Sequence, residues 1–565
     1  MYKVFGILII LSALALFFGS CGSLTVETFY ENGVVVTSSP IATEIGLDIL
    51  KQGGNAFDAA VGVGFALAVS YPEAGNIGGG GFALTYDAGA GEVNALDFRE
   101  KAPAGATVDM FLDSNGFVIE NSSLSGSRAA GVPGTVAGLY SLWEKYGSLD
   151  WYQLLQPSYV LADTGFILDQ YLASSMAAYS ESLRYFPETE AVFFADNTNP
   201  KAGDRFIQKD LAATIQRIAL DSLNGFYSGK TADLIIETME KYNGLIDYDD
   251  LESYQPVWRK PVKFSFDSLD IYSMPPPSSG GVLLGMILKL LEPFDFSIFT
   301  PRSPEYIHLF AEACRLAYAE RAVHLGDPDF VSNPVEVMLS NDFLDARRGL
   351  IDKSRAGISR EIESGIPQNF PESESTTHFS IADRFGNLVS LTYTLNTRYG
   401  SRLVVGGAGF LLNNEMDDFS IKPGVANVYG LIGGEANEIA PNKRMLSSMS
   451  PTIVLKKGKP VLALGTKGGS KIITTVAQAL VSYSRFGLNL KQIVNMPRFH
   501  HQWLPDTLYL EKSGFDINIK QDLIAKGHNI KERNRYSELM IISINENGMI
   551  TGAADPRRNG SVSGY

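Results

Sequence analysis

The hexapeptide Ser375-Thr376-Thr377-His378-Phe379-Ser380 sets two threonine hydroxyls where a polar stretch gives way to alternation. A threonine heading a strand becomes a chain terminus if the bond before it is cut. Its α-amine, with an unperturbed pKa of about 7.7–8.0, can then serve as base for its own hydroxyl. β-Propensity alone also accounts for a Thr-Thr pair at a strand start, so both readings stand at this point. Other chemistries fail on spacing. Gly225-Phe226-Tyr227-Ser228-Gly229-Lys230-Thr231 approaches a phosphate loop, but its first glycine is one residue too close. The run Gly78-Gly79-Gly80-Gly81 has Ala83 where a dinucleotide fingerprint needs its third glycine. His500 and His501 are adjacent, the chain has 6 histidines, and no H-E-x-x-H pair occurs, so no zinc site is expected. A G-x-S-x-G elbow is also missing. Hydroxyls, glycines and a few charges remain, which suits a self-activated nucleophile.

The elements that must position Thr376 follow from pattern. Residues 352–375 carry Lys353, Arg355, Arg360, Glu361, Glu363, Glu372 and Glu374, with Pro367 and Pro371 among serines, the composition of an exposed loop. Phe379 and Ile381 begin an alternation, Arg384-Phe385-Gly386-Asn387 supplies a turn, and Leu388 to Thr394 returns, which predicts a hairpin. Ser39-Pro40 opens a helix with Ile41, Ile45 and Ile49 on one face and Gly53-Gly54 at its end. Asn55 caps the next segment, where Ala59 to Ser70 is uncharged. Small residues all round predict a helix buried on every side, too short to span a membrane. Further strands are predicted at 82–86, 269–272, 453–455 and 461–464. Interleaved helices and strands with buried layers give a mixed α and β class.

The chain has 565 residues, 45% of them hydrophobic, enough for a substantial core. Its 47 basic and 62 acidic residues give −15, which argues against a nucleic-acid-binding surface. Lys3 precedes an apolar run from Val4 to Phe18, followed by Gly19-Ser20-Cys21, the layout of an export signal. Cys21 after Gly-Ser resembles a bacterial lipoprotein processing site, although Phe18 is a poor match there; simple cleavage and release is the alternative. Either way the expectation is a chain that works outside the cytoplasm, periplasmic or at the cell envelope. Cys21 and Cys314 are the only cysteines, so no disulfide framework is expected. Cys314 shares a helix face with Ile307, Phe310 and Ala317 and reads as core.

Several blocks lie in a telling order: Asp97-Phe98-Arg99-Glu100, Gly131-Val132-Pro133-Gly134-Thr135, Pro275-Pro276-Pro277-Ser278-Ser279-Gly280-Gly281, Thr376, Thr394-Leu395-Asn396, Asn413 to Phe419, Pro441 to Thr452, and Gly465-Thr466-Lys467-Gly468-Gly469-Ser470. From about Val34 to Tyr565 the chain resembles the γ-glutamyltransferase (γ-glutamyltranspeptidase, glutathione hydrolase) family of N-terminal-nucleophile hydrolases. The resemblance implies an α+β fold, a four-layer αββα sandwich made as one precursor. Self-cleavage at Ser375–Thr376 would leave, after a signal over residues 1–20, a large subunit of 21–375 and a small catalytic subunit of 376–565, together one globular unit. It implies Thr376 as nucleophile, oriented by Thr394, with Gly468 and Gly469 as oxyanion donors. Arg99, Ser447 and Ser448 would hold the substrate's α-carboxylate. Asp418, with Glu415 and Asn396, would hold its α-ammonium, and Asp417 would be structural. Tyr429, within the 423–434 segment that matches a lid loop, would cover the pocket. Met445 departs from the Pro that many relatives carry. Donors would be glutathione and other γ-glutamyl amides, acceptors water, amino acids or dipeptides, with no metal or organic cofactor. A β-lactam side-chain (cephalosporin or glutaryl) acylase with the same nucleophile is one alternative, and a non-catalytic lipoprotein that binds γ-glutamyl peptides is another.

Overall fold

The computed structural model describes residues 27–194, 197–362 and 376–565; Cys21 and Ser375 lie outside them. Two seven-stranded antiparallel sheets face each other, and helices cover both outer faces. One sheet runs, in spatial order, Ser561–Gly564, Val34–Thr37, Thr376–Ala382, Leu388–Thr394, Gly80–Asp87, Glu92–Phe98 and Val257–Arg259. The other runs Phe29–Tyr30, Ile550–Ala554, Met540–Ile544, Lys459–Gly465, Thr452–Lys456, Leu269–Ser273 and Val262–Phe266. This is the four-layer α+β sandwich that the resemblance implied.

Period-2 alternation divides the layers. Phe379 and Ile381 point into a core shared with the helices Pro40–Lys51 and Ala56–Ser70. Val34, Val36, Phe82, Leu84 and Ala382 point the other way, against Ile453, Ala463, Met540 and Ile542 of the facing sheet. Ser390 joins the sheets directly: its hydroxyl donates to Leu464 O at 3.0 Å and accepts from Thr452 N at 3.0 Å. The helix Ala56–Ser70 is buried on every side and starts with a capping box between Asn55 and Asp58, as its composition predicted. Behind the second sheet lie the helices Gly280–Leu291, Pro304–His324 and Lys471–Ser484, with Cys314 buried in their core.

Both sheets combine strands from before and after residue 375. Val36 pairs with Ser380, Gly80 with Thr394, and Ile271 with Val454. Separating the two stretches would therefore break both ladders. Over its described part, 352–362, the loop read at 352–375 is mostly exposed, as its composition predicted, and a few long-range contacts anchor it. Asp352 O lies 2.8 Å from His308 Nε2, and Ser359 is buried, with its N–H on Asp506 at 2.9 Å. A local charge count cannot register such long-range partners.

Candidate active site

Thr376 begins its strand directly opposite Thr394, and their hydroxyl oxygens are 3.5 Å apart. Thr394 Oγ1 accepts the Asn396 N–H at 2.7 Å, which fixes its hydroxyl beside Thr376. Asn396 manages this from the left-handed region, φ +73°, which asparagine tolerates. Asn76 fixes the same corner, donating to Thr394 O at 2.9 Å and accepting from Gly79 N and Thr135 Oγ1. The glycine run at 78–81 belongs here: a Cβ on Gly79 would fall 2.0 Å from Thr394 O. Gly81 likewise lies against Thr392 O of the hairpin, while Gly78 and Gly80 lie against Leu411 O and Phe98 O, so close backbone packing accounts for these glycines.

Thr376 opens on a cleft of about 290 Å³, lined also by Arg99, Thr394, Asn396, Glu415, Asp418, Tyr429, Ser447, Ser448 and Gly469. Residues more than 300 positions apart meet here because Arg99 follows the strand Glu92–Phe98 while Glu415 and Asp418 form a single 3₁₀ turn. The Arg99 guanidinium ion-pairs with both Glu415 and Asp418, and its Nε donates to Met445 O at 3.3 Å. Glu100 stands 3.5 Å from the same guanidinium, with both carboxylate oxygens otherwise unpaired. Burial works against charge on Arg99, but the three carboxylates more than offset it and hold its proton tightly. Burial raises the pKa of Glu415 and Asp418, opposed by Arg99. Asp417 faces away, accepting from Ser123 Oγ at 2.7 Å and Val428 N at 2.9 Å.

Ser447 and Ser448 sit where the Pro275–Gly281 block runs alongside them. Ser447 N donates to Pro277 O at 2.8 Å, and Ser279 donates to Ser447 O through N–H and hydroxyl, at 2.9 and 2.7 Å. Three polar atoms on the cleft residues remain buried without a protein partner: Asn396 Oδ1, Glu415 Oε2 and Ser448 Oγ. Two are acceptors and one a donor, so the cleft is short of a cation on one side and an acceptor on the other.

Gly468 and Gly469 turn the chain from the strand Lys459–Gly465 into the helix Lys471–Ser484, at φ +133° and +55°. Their carbonyls accept from Lys471 and Ile472. Their own N–H groups have no acceptor among the described residues, and they lie at the positive end of that helix. Tyr429 packs on Gly469 and donates through its hydroxyl to Asn396 O at 2.6 Å. It is 4% exposed, so it roofs the cleft.

The sequence reading omitted Arg321 and Glu100. Arg321 lines the cleft from the helix Pro304–His324, and its Nε donates to Ser279 Oγ at 2.9 Å. On a helix whose residues are almost all buried, no periodic signal sets it apart; only its neighbours do. Away from the cleft, His308, Glu312 and His528 form a buried group with metal-ligand proximity. Here His308 Nδ1 and His528 Nε2 bond each other at 2.8 Å, and Glu312 accepts from Arg315 and Gly357.

A hydroxyl nucleophile, a second hydroxyl to orient it, free backbone donors and a charge-lined cleft form the parts list of acyl transfer through an ester. The sequence model described as Gamma-glutamyltranspeptidase matches residues 42–565. The glutathione hydrolase proenzyme of Escherichia coli (strain K12) is 46% identical over 528 residues, 93% of this chain and 90% of that protein. The acylase ACY 1 proenzyme of Pseudomonas sp. (strain V22) is 33% identical over 536 residues, 94% of this chain and 93% of that one. The crystal structure of cephalosporin acylase from Bacillus halodurans superposes with a TM-score of 0.85 at 26% identity, over 97% of this chain and 98% of that one.

Proposed function

The chain belongs to the gamma-glutamyltranspeptidase family and is a γ-glutamyltransferase and glutathione hydrolase, and from that premise we propose how its residues divide the work. Thr376 Oγ first attacks the carbonyl of Ser375. The peptide nitrogen leaves as the new α-amine, and water hydrolyses the ester, freeing a Ser375 carboxylate. Residues 21–375 and 376–565 then stay together through the shared ladders. In the mature enzyme the Thr376 α-amine takes the hydroxyl proton as Oγ attacks the γ-carbonyl of glutathione or another γ-glutamyl amide. Gly468 and Gly469 N–H groups hold the oxyanion, each such donor contributing typically about 2.7–4 kcal/mol. The leaving amine departs with the proton, and the γ-glutamyl ester passes to water, an amino acid or a dipeptide. Thr394 aims the nucleophile, and Tyr429 closes the cleft over the intermediate.

The observation that carries the substrate choice is the set of orphaned atoms. Asn396 Oδ1 and Glu415 Oε2 call for a cation, and Ser448 Oγ for an acceptor. The α-ammonium and α-carboxylate of a γ-glutamyl group supply both, with Asp418 joining the ammonium and Arg99 and Ser447 the carboxylate. A glutaryl acyl group has no ammonium and would leave the acceptors bare, which places the acylase reading second. Residues 1–20 would direct export, with Cys21 as lipid anchor or a simple signal cut as the alternative. Among the described residues no helix is long and apolar enough to cross a membrane.

The test is a denaturing gel of purified wild type and Thr376→Ala, followed by assays on γ-glutamyl- and glutaryl-p-nitroanilide. Wild type should give two bands, the smaller starting at Thr376, and should prefer the γ-glutamyl probe. Thr376→Ala should stay whole and inactive. Cleavage that persists in Thr376→Ala, or a preference for glutaryl, would refute the reading.

A further inference from the structure

A lysine with no part in the proposed chemistry precedes the glycine pair. Lys467 is 2% exposed, yet its ammonium is well partnered. Nζ lies 2.7 Å from Glu538 Oε2 and 3.8 Å from Glu73 Oε1, and it donates to the Tyr71 hydroxyl. Both carboxylates are fully enclosed. Glu538 stands just ahead of the strand Met540–Ile544, and Glu73 just after the helix Ala56–Ser70. Arg558 closes the group, donating to Glu73 Oε1 at 2.9 Å. Burial, helped by Arg558, pulls Lys467 down to about 8, against the pull of Glu538 and Glu73.

Further bonds tie this pair to both halves of the reacting centre. Glu538 Oε2 also accepts from Ser38 Oγ at 3.3 Å, and Ser38 Oγ accepts from the hydroxyl of Thr377, the neighbour of Thr376, at 3.1 Å. Glu538 N donates to Thr466 Oγ1 at 2.9 Å. Ser537 packs on Gly468, where a Cβ would fall 2.6 Å from Ser537 Oγ. A buried line of side chains, Thr377–Ser38–Glu538–Lys467, thus runs from the nucleophile's strand to the turn that carries the backbone donors.

We infer that Lys467 is a positioning residue: paired with Glu538, it sets the Gly468 and Gly469 N–H groups against Thr376. The inference rests on the reading of those N–H groups as the oxyanion donors. Two glycines at φ +133° and +55° have no side chain with which to hold their own orientation. The turn is therefore aimed by what flanks it, Lys467 on one side and the helix Lys471–Ser484 on the other. Aim matters, because an oxyanion donor works only when it meets the developing charge at about 2.7–3.1 Å. Lys467 is not among the described residues that line the cleft. Its effect should thus fall on the transition state and not on the bound donor.

The test measures kcat, KM and the urea midpoint for wild type, Lys467→Met and the double variant Lys467→Met/Glu538→Gln, with γ-glutamyl-p-nitroanilide as substrate. Lys467→Met leaves Glu538 buried without the ammonium it faces, so its midpoint should fall. The double variant removes both charges at nearly constant shape and should regain most of that stability. In both, kcat should drop about 10- to 100-fold with KM within about threefold of wild type. Recovery of kcat together with the midpoint in the double variant would show that Lys467 only holds the fold, and would overturn the inference. So would an unchanged kcat, a KM rise that accounts for the loss, or a chain left uncut in both variants, which would assign the lysine to maturation. If only Lys467→Met stays uncut, the double variant decides by the same criteria. Wild type inactive on γ-glutamyl-p-nitroanilide would instead refute the proposed function.

Discussion

Gly469→Ala probes whether Tyr429 and the glycine turn form one wall over Thr376. A Cβ on Gly469 falls 2.4 Å from Tyr429 Cδ1, 2.7 Å from Cε1 and 3.1 Å from Cγ. Carbon atoms settle at about 3.5–4.0 Å, so the ring must retreat by about 1 Å. Its hydroxyl is tied to Asn396 O at 2.6 Å, and losing that bond costs about 0.5–1.5 kcal/mol. Alanine at φ +55° adds left-handed strain of about 1–2 kcal/mol. Where the closed cleft is the reactive form, the sum of about 1.5–3.5 kcal/mol appears as a roughly 10- to 300-fold loss in kcat/KM. The assay is p-nitroaniline release from γ-glutamyl-p-nitroanilide, in wild-type and Tyr429→Ala backgrounds. With the ring gone, only the backbone strain remains, so the substitution should cost at least about 0.5 kcal/mol less. Additive effects, agreeing within about 0.3 kcal/mol, would refute the closed wall.

Gly465→Ala should destabilise the fold by about 1–3 kcal/mol, because its Cβ would lie 2.3 Å from the His378 ring. Thr392 and Ser380 hold that ring on both nitrogens, so it cannot step aside; a urea midpoint unchanged from wild type would contradict this. Burial lowers His378 to about 3, against about 6.5 in the unfolded chain. The unfolded state therefore binds the extra proton, and the loss of stability begins as pH falls through 6.5. At pH 5 the neutral ring costs wild type about 2 kcal/mol more than at pH 7. Asp417, raised by burial to about 7, pushes the opposite way, so the comparison must be with His378→Asn, which retains every other group. The stability gap between wild type and that variant should narrow by about 2 kcal/mol from pH 7 to pH 5; a gap independent of pH would show that the ring is not held neutral.

The hairpin around Thr376 was legible because its alternation, turn residues and β-branched types all agree locally. The capped helix at 56–70 was legible for the same reason. The ordered blocks from Asp97 to Ser470 also named most of the cleft before any geometry was known. Other features were beyond a one-dimensional reading. The 352–362 segment is mostly exposed, as it reads, but its anchoring to His308 and Asp506 on distant elements is not written in its composition. Gly78 to Gly81 reads as a failed nucleotide motif, and its reason is close packing against the backbone oxygens of Leu411, Thr394, Phe98 and Thr392.

Residue type and order were enough to single out a candidate nucleophile, a glycine turn and charges suited to both ends of an amino acid. Which of those charges pair with one another is visible only in the folded chain. Arg99 is held by two carboxylates, and Arg321, from the helix Pro304–His324, reaches the same cleft. Pairing depends on distances between elements hundreds of residues apart. Burial then sets the strength of each charge, and neither quantity is written in local pattern.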